Sequence, residues 1–537
     1  MAKSSKKKQV KKVVKVQENV TDLNAFFDKY MWLVIPILTI VYFITSKYSI
    51  GFYQDDEIAQ YVNMLEFWHV PALILGNAPK PGYKILMVLP ALISYDTVLI
   101  VNSLIASLTV YLSYFLIKAY KINYAYFGAF ILATQPLFFD LSFRSYPEIF
   151  TALLVVCFSL LWKKEKYIYA GLVLGYIYTI RQEYALLIIV MAILFFRRKA
   201  YIAILSMGVF PLLYNLLGFM KTGDILFIYS EMQKVSGYLT NSQGVDHYFK
   251  MYIFIIGPVC FTLFFLGYLG FLGYSNKAKE YFMSYLIPYL IFTFVFLTHV
   301  FTMLNDGPNP GNWRYLLHIS PIAALFATKG LDNLADITFK RTGLIIMGIV
   351  GFVVLIFLSK GTNGFIMTEE TEYSKFLIVI SILVLSLILW KNSKTKYLNN
   401  MSLILVGLSI VYLFINFEPK KLSTENVTVK DVATYVDGNY QLDGERQLLT
   451  NHALFRFYSG LFKDNVGKFK PLQSGTLGEA PPGTILVWES HYGYRPEPAW
   501  GNDVSLDMLQ QDTTSYKFIK QFISPDQRFG AFIFEKK

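Results

Sequence analysis

Apolar runs recur along most of this chain, each close to the ~20 residues that a helix needs to cross ~30 Å of hydrocarbon. Backbone polar groups find no water inside lipid, so runs of this kind must close their hydrogen bonds within helices. Of the 537 residues, 54% are hydrophobic and only 16% are charged, and the mean hydropathy is +0.42. These values lie far outside the range of soluble domains. The pattern predicts a mainly α, polytopic membrane protein with about thirteen transmembrane helices.

Basic clusters recur between the runs, at Lys118 and Lys121, Lys163 to Lys166, Arg197 to Lys199, Lys277 and Lys279, Lys340 and Arg341, and Lys391 to Lys396. Under the positive-inside rule these loops are cytoplasmic. Residues 1–30 form a basic tail ahead of an apolar run without a cleavage signature, which predicts a retained anchor with a cytoplasmic N-terminus. The loops holding Asp55, Arg144, Arg181, Asp306 and Thr362 then fall on the extracytoplasmic face. So does everything after Phe417.

The expected organisation is a cytoplasmic tail over 1–30, a transmembrane body over 31–417 and a soluble extracytoplasmic domain over 418–537. Strand-like runs at Thr484 to Trp488 and Phe529 to Phe534, separated by Pro/Gly turns, predict a small α/β or α+β domain. The dense polar and aromatic stretch Trp488-Glu489-Ser490-His491-Tyr492-Gly493 reads as a strand end packed in that domain. Cys157 and Cys260 lie inside apolar runs, which leaves neither a disulfide framework nor a Cys-based metal site. No phosphate-binding glycine loop, dinucleotide fingerprint or His-Glu-x-x-His motif occurs, and no nucleic-acid partner is expected.

Chemistry-bearing residues concentrate in four loops. Asp55, Asp56 and Glu57 follow the first apolar run and precede an amphipathic stretch with Ile58, Tyr61, Val62, Leu65 and Trp68 on one face. That stretch predicts a helix lying in the membrane interface, holding the acids at headgroup height. Pro79-Lys80-Pro81-Gly82-Tyr83-Lys84 is a rigid turn whose lysines suit either a phosphate or interfacial snorkelling. In Arg144-Ser145-Tyr146-Pro147-Glu148, Pro147 can open a helix whose first turn accommodates Glu148. Arg181 and Glu183 can pair, and Trp313-Arg314-Tyr315 stands at the head of a helix after a turn-rich loop. Together the loops supply carboxylates that can activate a hydroxyl, arginines that can hold phosphate and aromatics that can stack on a sugar.

On these residues the chain resembles the GT-C superfamily of integral-membrane glycosyltransferases. The resemblance runs over roughly the first 330 residues, through the acidic loop, the Lys80 to Tyr83 turn, Arg144 to Glu148, Arg181, and Trp313-Arg314-Tyr315-Leu316-Leu317 with Ser320-Pro321. The later elements are similar to the mannosyltransferase branch. The first is also similar to the protein mannosyltransferase and aminoarabinose-transferase branch. Where mannosyltransferases carry a His-Lys-Glu-type segment before the arginine, this chain has Pro310-Gly311-Asn312-Trp313, so the resemblance leaves the sugar open, as a mannose-like hexose or a pentose.

The resemblance implies an inverting transfer from a polyprenyl-phosphate-linked sugar to an acceptor hydroxyl on a glycan, lipid or protein, on the extracytoplasmic face of a prokaryotic plasma membrane. It implies Asp56 as the general base, with Asp55 next and Glu57 in support. Arg314, Arg144, Arg181 and Lys84 are then the candidates for donor phosphate, and Glu148, Tyr146, Tyr83, Trp313 and Tyr315 for sugar or acceptor. No cofactor is required, although the carboxylates leave a divalent cation open. Two readings from other classes are a transporter or flippase and a polymerase-type protein of envelope polysaccharide assembly. Charges at span ends and the lack of duplicated halves speak against a transporter.

Overall fold

The computed structural model describes residues 23–76, 80–236, 243–274, 277–304, 309–335, 339, 341–359, 377, 379–381, 383–384, 387, 398–496 and 501–537. Asp306, Thr362, Lys340 and the Lys391 to Lys396 cluster fall outside them. Two compact units emerge. The first comprises Met1–Ile44, Ile100–Leu216 and Leu239–Phe417; the second comprises Thr45–Leu99, Leu217–Tyr238 and Glu418–Lys537. The acidic loop therefore groups with the C-terminal domain, whose expected start at residue 418 is also the start of the last segment of the second unit.

The first unit is helical. Counted over both units, Leu23–Tyr48, Tyr95–Ala119, Tyr201–Thr222 and Leu398–Asn416 are long and apolar enough to cross a membrane, and two bent pairs bring the number to six at most among the described residues. The expected count of about thirteen is therefore not matched one for one. Many apolar runs are cut short: Ala185–Arg197, at 13 residues, rises only ~20 Å. His247–Ile256 and Pro258–Tyr268 meet at 114°, where Gly257 adopts φ +77° and Pro258 opens the second helix.

Pro258–Tyr268 and Ser320–Ala335 pack backbone against backbone. A Cβ on Gly267 would stand 1.8 Å from the Phe326 carbonyl oxygen, and one on Gly330 would stand 2.1 Å from that of Leu263. This is the small-residue packing by which apolar helices associate without a hydrophobic driving force. Beside this pair, Thr328 and Asn333 are fully buried and hydrogen-bonded to the carbonyls of Ala324 and Leu266.

In the second unit, Asp56–His69 forms the expected amphipathic helix and buries Ile58, Tyr61, Val62, Met64 and Leu65. Trp68, expected on that face, is exposed. Pro81–Ile93 follows, opened by Pro81 after Lys80 in a left-handed conformation.

The C-terminal domain is a five-stranded mixed sheet of order β2-β1-β3-β5-β4. Its strands are β1 Leu448–Thr450, β2 Phe469–Lys470, β3 Ile485–Glu489, β4 Tyr516–Ile523 and β5 Gly530–Lys536. β1 runs parallel to β2 and β3, whereas β5 is antiparallel to β3 and β4, with Leu449 opposite Leu486 and Leu486 opposite Phe534. The two strand-like sequence runs are thus neighbours at the centre of the sheet. Leu449, Leu472, Leu477, Leu486, Trp488, Val504 and Phe534 form its core.

The helix pair yields a direct expectation. Gly330→Ala should destabilise the protein by about 1–3 kcal/mol through overpacking, measured as a lowered melting temperature in detergent or nanodiscs. An unchanged melting temperature would contradict the backbone contact.

Candidate functional site

In the first unit, the sequence element Tyr146-Pro147-Glu148 folds as anticipated. Tyr146 is extended and Pro147 opens the helix Pro147–Lys163 with Glu148 in its first turn. Glu148 is fully enclosed, and the guanidinium of Arg181 donates to its Oε1. Arg181 also faces Glu183 Oε1 at 3.6 Å, and Arg314 Nε stands 3.8 Å from Glu148 Oε1. A buried charge is tolerable only when paired. Here two guanidinium groups and two carboxylates lie together in an apolar body.

Aromatic rings complete the cluster. Arg314 Cζ lies 4.8 Å from the centroid of Tyr146 and 5.6 Å from that of Tyr315, and Arg181 Cζ lies 5.4 Å from Tyr315. His299 stacks on Tyr315 at 5.6 Å, and His318 packs on Tyr184 at 5.3 Å. Several enclosed polar atoms have no protein partner: Arg181 Nε, Glu148 Oε2, the Ser145 hydroxyl and both ring nitrogens of His318. Native interiors rarely leave such groups unsatisfied, and an incoming anion or sugar hydroxyl is one explanation.

The structure therefore brings together Glu148, Arg181, Arg314, Tyr146 and Tyr315 from the predicted set. Arg144 is buried but turned toward Asp140, donating to its backbone carbonyl at 3.0 Å and its carboxylate at 3.2 Å. Trp313 stacks on Phe254 at 5.7 Å. Sequence reasoning missed His299 and His318, which appear in the sequence only as scattered histidines.

In the second unit the three acids part company. Glu57 is enclosed and accepts hydrogen bonds from the Tyr53 amide at 2.9 Å and the Tyr95 hydroxyl at 2.6 Å, which makes it the anchor of the loop. Asp56 is exposed at the first turn of its helix. Asp55 Oδ2 accepts from the Tyr492 hydroxyl at 2.5 Å. Tyr83 and Lys84 are both buried in Pro81–Ile93. The nearby Glu66 pairs with Arg456, and Phe457 packs edge-on against Phe52, Tyr61 and Tyr95.

Beside Asp55 lies a cluster that the sequence did not reveal. Glu425 Oε1 accepts from His491 Nδ1 at 2.7 Å and His452 Nε2 at 3.0 Å. The ligand atoms of these three residues lie within 4.8 Å of one another, a spacing compatible with a divalent cation. A metal on His452 Nε2 would require the ring proton on Nδ1. That nitrogen, however, accepts the Leu454 N–H at 3.2 Å. The geometry thus places the proton on Nε2 and fits a hydrogen-bond network in which one carboxylate serves two imidazoles.

Burial opposes ionisation of Glu425, but its hydrogen bonds from His452 and His491 prevail and hold its pKa at about 2. The same bond raises the pKa of His491 above its usual value, against the effect of burial. Burial pushes the pKa of Glu489 up, although the backbone N–H groups of His491 and Tyr492 donate to its carboxylate.

No protein-family model matches this chain, and no curated protein matches it significantly in sequence. Among solved structures, it is similar to ArnT from Cupriavidus metallidurans, in crystal structures bound to undecaprenyl phosphate and in the apo state. The TM-scores are 0.54 and 0.55, at 12% sequence identity in both. The match covers 94% of this chain and 98% of ArnT. A likeness at this identity establishes the fold alone, a helical body with a small C-terminal sheet domain.

The Glu425–His491 pair sets a pH window. Glu425 has its pKa lowered from 4.5, so its contribution is present above pH 4.5 and lost as pH falls toward about 2. His491 is raised from 6.5, so its contribution is complete below pH 6.5 and lost as pH rises through the folded value. In hydrogen exchange of the full-length protein, protection of residues 425–458 and 485–493 conferred by His491, taken as wild type minus His491→Gln, should peak between pH 4.5 and 6.5. A difference that keeps growing above pH 8 would contradict the pairing.

Proposed function

We propose that this protein is an integral-membrane glycosyltransferase that moves a sugar from a polyprenyl-phosphate donor to an acceptor hydroxyl with inversion. The observation that carries this reading is the buried Glu148–Arg181–Arg314 cluster, walled by Tyr146 and Tyr315 and holding unpartnered polar atoms. Whole-length similarity of fold to ArnT, whose structure holds undecaprenyl phosphate, supports the choice of donor. The positive-inside pattern supports an extracytoplasmic site in a prokaryotic plasma membrane.

Arg314 is the leading phosphate ligand. Its guanidinium lies 4.8 Å from the Tyr146 ring and 5.6 Å from the Tyr315 ring, and its Nε stands 3.8 Å from Glu148, so it joins the aromatic faces to the buried acid. Its planar fork suits the departing phosphate, whose negative charge grows as the glycosidic bond breaks. Glu148 and Arg181 orient Arg314 and offer hydrogen bonds to sugar hydroxyls, while Tyr146 and Tyr315 provide faces for the ring.

Asp56, exposed at the head of its helix, is the proton acceptor. It takes the proton of the acceptor hydroxyl as that oxygen attacks the anomeric carbon and polyprenyl phosphate leaves. Asp55 shares the same turn. Glu57, with its oxygens engaged by Tyr53 and Tyr95, keeps the turn in shape.

The test is release of undecaprenyl phosphate from a panel of undecaprenyl-phosphate-linked hexoses and pentoses, with a membrane lipid and glycan extract as acceptor. Asp56→Asn should lower kcat by about a hundred- to ten-thousandfold without unfolding the protein. Full activity in both Asp55→Asn and Asp56→Asn would refute the base assignment. Arg314→Ala should weaken donor binding or turnover by at least about tenfold, and an unchanged donor titration would remove Arg314 from that role.

A further inference from the structure

The Trp488 to Gly493 stretch is more elaborately built than a strand end requires. Glu489, at the end of β3 and 1% exposed, folds its carboxylate back onto the amides of His491 and Tyr492 at 2.8–3.0 Å. Gly493 closes the turn by donating to the Glu489 carbonyl at 2.9 Å. Only glycine fits there, because a Cβ would stand 2.2 Å from that oxygen and 2.8 Å from the Trp488 indole. Asn502 ties down the Tyr492 carbonyl at 2.8 Å. A buried carboxylate spent on two backbone amides fixes a local geometry, and here it fixes the direction in which Tyr492 projects.

The Tyr492 ring is held as firmly as its backbone. The His491 imidazole stacks on it at 4.0 Å between centroids, with planes 13° apart. The Arg495 guanidinium lies 4.6 Å from its centroid, and His452 meets it edge-on at 5.2 Å. His491 and His452 are themselves anchored on Glu425. The hydroxyl so placed donates to Asp55 Oδ2, with His491 Nδ1 3.9 Å from the same oxygen. Burial and the neighbouring Asp55 charge raise the pKa of this phenol well above its ordinary value, so it stays a proton donor.

We propose that Tyr492 is a positioning residue for the acid pair Asp55 and Asp56, its hydroxyl holding the Asp55 carboxylate and with it the first turn of Asp56–His69. The proposal rests on the reading of these acids as the proton-accepting group. Docking alone does not require this hydroxyl. The C-terminal domain is already joined to the segment around the acids by Gly51 N–H to Lys420 carbonyl at 2.8 Å, Lys420 N–H to Ser49 Oγ at 2.9 Å, the Arg456–Glu66 ion pair and the Phe457 packing. What the hydroxyl adds is the orientation of one carboxylate.

The experiment uses the full-length protein in nanodiscs and compares Tyr492→Phe, Tyr492→His and the control Tyr494→Phe. A water-soluble carbodiimide with glycine ethyl ester, read by peptide mass spectrometry, reports how far Asp55 is covered without any sugar substrate. Tyr492→Phe should raise Asp55 labelling at least about threefold relative to Asp507, as expected when a hydrogen bond to a charged group is lost. With the donor selected above, it should lower kcat by about tenfold while leaving donor KM unchanged. Tyr492→His, which keeps a ring and an N–H donor, should recover at least half of the lost rate. Tyr494→Phe should match wild type.

Unchanged labelling and kcat in Tyr492→Phe would overturn the proposal, as would equal loss in the Phe and His variants, a result that stays decisive if both lower the melting temperature. If Asp55→Asn and Asp56→Asn retained full transfer, the base reading would fall and the catalytic proposal with it. If those variants were inactive while Tyr492→Phe kept wild-type kcat, the proposal alone would fall.

Discussion

Burying opposite charges in an apolar body is the constraint on which the first unit turns. A lone guanidinium or carboxylate at that depth would cost several kcal/mol. Glu148, Arg181, Arg314 and Glu183 are accommodated because each lies within 4.0 Å of an opposite charge. Replacing such a network by packed hydrocarbon is often neutral or stabilising, so its presence calls for a role other than stability. Arg314 stands between two tyrosine faces and supplies that role in the proposed reaction.

The second unit solves a different problem, holding an exposed acid steady at the head of a short helix. It does so with carboxylates that accept hydrogen bonds from the backbone. Glu57 closes the loop before the helix, and Glu489 closes the turn that carries Tyr492. Both are enclosed, both accept backbone amides, and both bracket Asp55. The C-terminal domain thereby contributes directly to the surroundings of the acids. This explains why Thr45–Leu99 groups with Glu418–Lys537 across such a long stretch of chain.

Much of this was legible in the sequence because it depends on local rules. Hydropathy identified a helical membrane body, Pro147 before Glu148 marked a helix start, and the strand runs at 484–488 and 529–534 became the adjacent strands β3 and β5. The span count is not matched one for one among the described residues, because apolar length was read without the bends and short helices that Gly257 and Pro258 exemplify. The sequence does not show the partners of the three adjacent acids, yet Tyr95 distinguishes Glu57 and Tyr492 distinguishes Asp55, partners 38 and 437 residues away. The Glu425–His452–His491 network was invisible for the same reason, since nothing in the spacing of scattered histidines predicts a shared carboxylate.

The proposed function requires a polyprenyl-phosphate lipid to bind at the Arg314 cluster. Cryo-electron microscopy of the protein in nanodiscs with added undecaprenyl phosphate tests it most directly. Phosphate density is expected within hydrogen-bonding distance of the Arg314 guanidinium, beside Tyr146 and Tyr315. A well-resolved lipid phosphate bound elsewhere, with the Arg314 cluster unchanged, would contradict it.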